Sequence, residues 1–476
     1  FTGSLLIGHA TTGTISSAEN NTGVGIGALD ALTTGDSNVA IGFNTLTALT
    51  TGSSNVAIGN KAMLSGLVSG DDNVMIGELA GNNIIGGSEN VGIGTKALFT
   101  ENNDGKNVAV GHNSLMTLRA GADAYNVAVG YDAGKSVTTA VNNTLIGALS
   151  GDAITTGGYN VALGYGSLSS NTIGNSNIAI GTSAMLTNVA ADRNVAIGTD
   201  ALESMTAAST TDTYNVAIGY NAGKQVTSGV ENVIIGGLAG DALTTGSRNI
   251  VIGTYALSSE DEHGNNIAIG WKALQDQDAG ADAYNIAIGY EAGKEVTTGV
   301  QNTLIGGLAG DALLTGQENV ALGYNAFSTA NGSESRNVAV GAYSLSAMNI
   351  NGNNYNTAIG FNSGASVTTG QYSTIIGGLA GDAITTGISN VAIGYSALST
   401  EITGQKNVAV GTNALATLNY DGDGFNTAVG NDAGRYMTTG IQNTLIGGQA
   451  GDALTTGNGN TVLGYSALST EDTGSR

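Results

Sequence analysis

The chain has 476 residues, with 76 glycines, no proline, no cysteine and a formal net charge of −23. The lack of cysteine excludes disulfide frameworks and thiolate metal sites, and glycine without proline excludes collagen. The negative charge argues against nucleic-acid partners and against docking on anionic membranes.

A pentapeptide close to Asn-Val-Ala-Ile-Gly begins about 27 times, at intervals of about 17 residues. The starts run from Ser4 and Asn21 to Asn443 and Asn460, and only Ser4 and Ser373 replace the asparagine. A fixed short period is the signature of stacked coils. It predicts an all-β fold, a parallel β-solenoid or β-roll that is continuous over 1–476. We expect the chain to be a fragment of a longer fibre.

Each coil is numbered from its asparagine as position 0. Positions 1 and 3 are mostly β-branched, as in Val391 and Ile393, and alternation places both on one face of a strand. The small residue between them, such as Ala392, faces the other way, and we expect that face to pack against another chain. Positions 7 to 11 are expected to form a second strand, and Thr-Thr-Gly at positions 12 to 14 a turn.

Two recurring residues have expected structural roles. The asparagines should form a ladder of side-chain amides along the stack. The invariant glycine at position 4 indicates a conformation or a close approach that a Cβ would forbid. Representative positions are Asn38, Asn232, Asn302 and Asn390 for the ladder, and Gly42, Gly236, Gly306 and Gly394 for the glycine.

From about residue 73, groups of four coils form a longer repeat of about 70 residues. Position 9 is basic in one coil and acidic in the next, which predicts ion pairs between adjacent coils, worth about 0.2–1 kcal/mol each if exposed. The predicted pairs are Lys135 with Asp152, Lys224 with Asp241, Lys294 with Asp311, and Arg435 with Asp452.

The repeated pentapeptide resembles the head repeats of trimeric autotransporter adhesins, the YadA-like family. The longer unit, seen at Asn302 to Gly316 and at Asn443 to Gly457, is similar to repeats in tail fibres of marine bacteriophages. The resemblance covers essentially the whole chain. It implies a left-handed parallel β-roll and a homotrimer about a threefold axis.

Side chains suited to chemistry are few. His9, His112 and His263 are scattered, and their spacing does not indicate a catalytic triad. We predict that the chain is not an enzyme and has no cofactor or metal. Aromatic residues recur on either side of the pentapeptide, and Trp271 and Tyr290 are the candidate surface contacts, although packing over a turn or between chains would also explain them.

The favoured function is the shaft of a trimeric phage tail or host-recognition fibre, located on the virion, that reaches a host glycan or protein. The alternative is the head of a bacterial trimeric adhesin on the cell surface. Ice binding and polysaccharide cleavage are less favoured, because the threonine pairs fall at turns and the repeat singles out no pair of close carboxylates. Neither nucleic-acid binding nor membrane insertion is expected.

Overall fold

The computed structural model describes residues 4–7, 17–65, 69–103, 105–206 and 211–474. Within these ranges every regular element is a β-strand and none is a helix, which confirms the all-β class. Successive main strands lie about 17 residues apart and pair in parallel, so the predicted parallel β-solenoid is also confirmed. The chain divides into two compact units, Phe1–Gly237 and Leu238–Arg476.

The first unit is a stack of three-residue strands in uniform register, in which Val39 pairs with Val56 and Ala40 with Ala57. Two shorter strands, β12 and β14, pair with each other beside the stack. The strands are β1 (Leu5–Ile7), β2 (Thr22–Val24), β3 (Val39–Ile41), β4 (Val56–Ile58), β5 (Val74–Ile76), β6 (Val91–Ile93), β7 (Val108–Val110), β8 (Val127–Val129), β9 (Thr144–Ile146), β10 (Val161–Leu163), β11 (Ile178–Ile180), β12 (Ala191–Asp192), β13 (Val195–Ile197), β14 (Thr211–Asp212), β15 (Val216–Ile218) and β16 (Val233–Ile235).

The second unit repeats this arrangement, with Val391 paired to Val408 and Ala392 to Ala409. Its short pair is β22 with β24. The strands are β17 (Ile250–Ile252), β18 (Ile267–Ile269), β19 (Ile286–Ile288), β20 (Thr303–Ile305), β21 (Val320–Leu322), β22 (Glu334–Ser335), β23 (Val338–Val340), β24 (Gly352–Asn353), β25 (Thr357–Ile359), β26 (Thr374–Ile376), β27 (Val391–Ile393), β28 (Val408–Val410), β29 (Thr427–Val429), β30 (Thr444–Ile446) and β31 (Thr461–Leu463).

The core of each coil is built on the central residue of the strand, which is most often alanine. Ala392, Leu398 and Leu418 are fully buried within their own chain, whereas Val391 and Ile393 are half-buried. The expectation that the alanine face packs against another chain is therefore wrong. A larger central residue such as Leu304 is also fully buried, and glycines make room for it, because a Cβ on Gly293 would lie 2.6 Å from Leu304 Cδ1. Since the central residue faces the core, its two neighbours in the strand point outward.

The second side of the coil is a series of turns and not the expected second strand. Its backbone alternates into the left-handed region, as at Asn413 (φ 51°) and Leu415 (φ 49°). The Asn413 N–H donates to Tyr395 O in the preceding coil at 2.9 Å, and the Leu415 N–H donates to Ala433 O in the following coil at 3.0 Å. These turns thus replace strand pairing with hydrogen bonds to both neighbouring coils.

The asparagines form a buried ladder along the stack. Asn38 donates from its backbone N–H and from Nδ2 to Asn21 Oδ1, at 2.9 and 3.0 Å, and from Nδ2 to Gly52 O at 2.9 Å. In the second unit, Asn390 Nδ2 donates to Gly404 O at 2.8 Å. One side chain therefore bonds the preceding coil and closes the turn of its own coil.

The glycine at position 4 makes the corner that follows each strand. Gly394 has φ +134°, and a Cβ there would lie 2.5 Å from Gly411 O in the next coil. Side chains are excluded both by this backbone angle and by the close stacking of coils. The other representative corners have the same geometry, at Gly42 (φ +137°), Gly236 (φ +137°) and Gly306 (φ +133°).

Candidate functional site

The outward side chains at positions 1 and 3 of successive strands make a largely apolar strip along each stack, in which position 3 is Ile, Val or Leu and position 1 is mostly Val, Ile or Thr. Exposure of the most exposed members in the second unit ranges from 36% at Val320 to 43% at Leu322, with 77% at Leu463 in the last strand. In the first unit, Ile41, Ile93 and Leu163 are similarly exposed. Contiguous apolar surface of this kind marks an interaction face, and we refer to it below as the apolar strip.

Exposed rings flank the apolar strip at position 5, after the corner glycine. Trp271 and Tyr290 occupy this position in neighbouring coils and stack with ring centroids 5.0 Å apart and planes 18° apart. Lys272 Nζ lies 4.4 Å from the Trp271 ring. The two predicted contact residues therefore share one surface. In the first unit, His112 and Tyr131 stack in the same way at 5.3 Å.

The second glycine of the Ile-Gly-Gly motif makes room for a ring, a role that sequence reasoning missed. A Cβ on Gly307 would lie 3.4 Å from the Tyr324 ring, and one on Gly448 would lie 3.4 Å from the Tyr465 ring. In both cases the tyrosine comes from the following coil. The signal was present in the sequence, because a tyrosine stands 17 residues after Gly307, Gly378 and Gly448, although Thr254 follows Gly237 at the same spacing.

The basic residues form ion pairs other than those predicted. Lys135 Nζ contacts Asp132 Oδ2 at 3.0 Å, Lys294 Nζ contacts Glu291 Oε1 at 3.7 Å, and Arg435 contacts Asp432 Oδ1 at 3.3 Å. Each acid lies three residues earlier in the same turn, closer than the position 9 acid of the next coil. The predicted pairs of Lys135 with Asp152, Lys294 with Asp311 and Arg435 with Asp452 are corrected accordingly.

Lys224 instead contacts two acids of the preceding coil, Asp200 Oδ2 at 3.2 Å and Glu203 Oε2 at 3.0 Å. Asp241 belongs to the other unit, so its pairing with Lys224 stays a prediction.

The position 9 aspartates turn inward, which is why they miss their predicted partners. One carboxylate oxygen of each is buried without a hydrogen-bond partner, in Asp152, Asp241, Asp311, Asp382 and Asp452. The pKa of Asp311 is raised to about 6, mainly by burial and to a lesser extent by the nearby Glu295 and Glu291 carboxylates, while its own backbone N–H opposes the shift. Burial is also the main cause of the raised pKa of Asp152, Asp241 and Asp382.

We expect Asp311→Asn to raise the melting temperature at pH 7. The folded-state pKa of Asp311 lies above the ordinary 3.8. The wild-type protein is therefore most stable at low pH, where this carboxyl is protonated, and it loses stability as pH rises from 3.8 through about 6. The gain from the neutral variant should therefore shrink toward zero near pH 4. Thermal melts followed by circular dichroism between pH 4 and 8 measure this difference.

Asp423→Asn is the matched control, because that exposed carboxylate pairs with Lys406 at 2.7 Å. It should leave stability unchanged or slightly lower at pH 7. A pH-independent difference between Asp311→Asn and the wild type would contradict the burial argument.

Buried glutamates at position 11 were also missed. Glu101, Glu260 and Glu401 are fully buried where most coils carry an apolar residue such as Leu243 or Leu418. Glu401 Oε1 accepts from the Gly404 N–H at 2.7 Å and the Ile402 N–H at 3.1 Å, and burial raises the pKa of this carboxyl. The sequence signal was a charged residue that breaks the apolar column at position 11.

The histidines do not come together. His112 Nδ1 lies 3.8 Å from Asp132 Oδ1 in the first unit, and His9 lies outside the described residues. In the second unit, His263 Nδ1 is 3.0 Å from Glu260 Oε1. Glu260, Asp261, His263 and Asp278 each offer one ligand atom, and these atoms lie within 4.8 Å of one another.

Comparison with protein-family models gave no match, and comparison with curated proteins gave none either. No helix of the described residues is long and apolar enough to cross a membrane.

Proposed function

We propose that the chain is the shaft of a homotrimeric phage tail or host-recognition fibre that projects from the virion and brings it to a host cell surface. The apolar strip carries this proposal. It runs along each stack on residues that repeat with the coil, so it offers a continuous self-complementary face rather than a local patch.

Three copies packed about a common axis would bury the apolar strip along its length. The outward face of the strand carries Val and Ile, and not the alanine expected from the sequence. This favours the arrangement, because half-exposed Val and Ile side chains would bury more apolar area between copies than alanine would. The left-handed sense of the coil belongs to the same proposal and follows the family resemblance. A density map of the assembled fibre would test both the hand and the symmetry.

The net charge of −23 suits a fibre exposed to solvent. A repetitive β-stack risks lateral aggregation, and like charge outside the apolar strip opposes it. The hydroxyls of the threonine pairs are partly used within the stack, as when Thr138 Oγ1 donates to Thr155 O at 3.0 Å. This use supports a structural role for them over ice binding.

We expect the purified chain to have three times its monomer mass of 47.1 kDa by light scattering. Ile359→Glu places a charge on the apolar strip, where the native side chain is 37% exposed, and should shift the assembly toward monomer with the β-sheet spectrum retained. Burying an unpaired carboxylate at each of three contacts would cost several kcal/mol.

The control is Thr386→Glu, because Thr386 is exposed on the turn side of the coil. It should remain trimeric. A monomeric wild type, or an Ile359→Glu variant that keeps the trimer mass, would overturn the proposed packing.

We further propose that the Trp271–Tyr290 stack contacts a host glycan. Exposed rings offer flat apolar faces with polar edges, which suits the alternating polar and apolar faces of sugars. We expect Trp271→Ala to reduce binding to a panel of immobilised glycans about tenfold or more, with neutral glycans bound better than acidic ones because of the negative chain. Tyr159→Ala, which removes an exposed ring elsewhere, is the control; equal effects of both variants would count against this contact.

The bacterial adhesin head is the second candidate, because the pentapeptide itself resembles the head repeats of that family. The same trimer and the same apolar strip would serve it. The flanking gene sequence separates the two, because an adhesin requires a membrane anchor and stalk, whereas a fibre of this kind is followed by an intramolecular chaperone domain.

A further inference from the structure

We propose that Glu260, Asp261, His263 and Asp278 bind a divalent transition-metal ion, with Zn²⁺ as the ion to test. The ligand atoms of these residues lie within 4.8 Å of one another on two successive coils of the second unit. One imidazole nitrogen with carboxylate oxygens is a donor set that Zn²⁺ and its first-row neighbours accept. This site is independent of the proposed fibre function.

Two further carboxylates and an imidazole gathered beside the buried Glu260 carboxylate are the observation that points to a cation. The Glu260 side chain is fully buried, and no lysine or arginine among the described residues forms an ion pair with it, with Asp261 or with Asp278; the one ionic contact is to His263. Buried charges in proteins are paired or coordinate metals. Three carboxylates this close together repel one another, and a divalent cation bound among them would relieve that repulsion.

Hydrogen bonds already fix the direction of the Glu260 carboxylate. Oε1 accepts from the His263 N–H at 3.1 Å, and Oε2 accepts from Gln277 Nε2 at 3.2 Å and from the Ala279 N–H at 3.3 Å. Gln277 Oε1 in turn accepts from Asn285 Nδ2 in the ladder at 2.9 Å. Outer contacts of this kind orient metal ligands and tune their affinity.

The equivalent place two longer repeats later shows that the fold does not need these ligands. Glu401 occupies the position of Glu260, but Ile402, Gly404 and Asn419 stand where Asp261, His263 and Asp278 stand. The Glu401 site is held by backbone N–H groups alone. The Glu401 coil therefore lacks the histidine and the additional carboxylates. A difference between repeats is expected for a binding site and not for residues that every coil needs in order to fold.

The same comparison supplies variants that the fold already accommodates. His263→Gly and Asp278→Asn copy the residues at Gly404 and Asn419. They therefore remove ligands and introduce only residues that the chain already carries at the equivalent positions. His112→Ala is the control, because His112 also lies beside a carboxylate, at 3.8 Å from Asp132, but outside the cluster.

The experiment is calorimetric titration of the chelator-treated full chain with ZnCl₂ and, separately, with CaCl₂. We expect one strong Zn²⁺ site per chain and a higher melting temperature with Zn²⁺, since binding to the folded state stabilises it. His263→Gly should weaken Zn²⁺ binding at least tenfold, Asp278→Asn should weaken it measurably, and His112→Ala should leave it unchanged.

Calcium, which prefers six to eight oxygen ligands, should bind far more weakly. The proposal is overturned if Zn²⁺ does not bind, if His263→Gly binds it as the wild type does, or if Ca²⁺ binds equally well. The last two results would mean that exposed carboxylates alone attract the ion.

Discussion

Gly377→Val is expected to destabilise its part of the stack by about 4 kcal/mol or more. Gly377 has φ +134°, and a Cβ there would lie 2.5 Å from Gly394 O and 2.6 Å from Gly394 C. A β-branched residue has no comfortable conformation at this angle, and the clash is with backbone that cannot move without separating two coils. Urea unfolding followed by circular dichroism measures the loss, and amide hydrogen exchange should locate it near strands β26 and β27.

The adjacent glycine provides the control. A Cβ on Gly378 would meet only the Tyr395 ring at 3.7 Å, an ordinary contact, so Gly378→Ala should change stability by less than about 1 kcal/mol. Equal stability of Gly377→Val and the wild type would show that the corner does not require glycine.

Asn302→Leu should cost about 3 kcal/mol or more, because the residue is fully buried and several groups depend on it. Its Oδ1 accepts from the N–H and from Nδ2 of Asn319 at 3.1 and 3.0 Å, and its Nδ2 donates to Gly316 O at 2.9 Å. Leucine would leave these buried groups without partners, at about 1–3 kcal/mol each. Chemical denaturation of the full chain measures the change.

Asn302→Ser should be milder, at about 1 kcal/mol, because the chain itself has serine at this position twice, at Ser4 and Ser373. Ser373 stands in the ladder, and its Oγ accepts from the Asn390 N–H at 3.2 Å. The serine thus keeps the bond to the following coil and loses the bond that closes the turn. If both variants were equally stable, the ladder would contribute nothing beyond side-chain volume.

The candidate sites show how far single-sequence reasoning reaches. Repetition at fixed spacing indicated Trp271 and Tyr290 as one surface, because residues 17 or 19 apart at the same coil position must lie in adjacent coils. It failed for the ion pairs, since spacing along the stack says nothing about residues within one turn. Lys135 reaches Asp132 because a tight turn brings residues three apart closer than neighbouring coils do.

The sequence by itself determined the architecture. An asparagine and a glycine at fixed positions every 17 or so residues require the backbone to return to the same place, because only then do the amide ladder and the glycine corner repeat.

The tertiary structure decided which face of the strand is inside. Alternation separates Ala392 from Val391 and Ile393, but all three are apolar, so hydrophobicity cannot choose between the two faces. The fold makes the choice, because the central residue of each strand faces the second side of its own coil, where alanine is common and the larger Leu304 packs beside Gly293 and Gly310. The meeting of successive turns likewise gathers Glu260, His263 and Asp278, which no pattern within one coil could reveal.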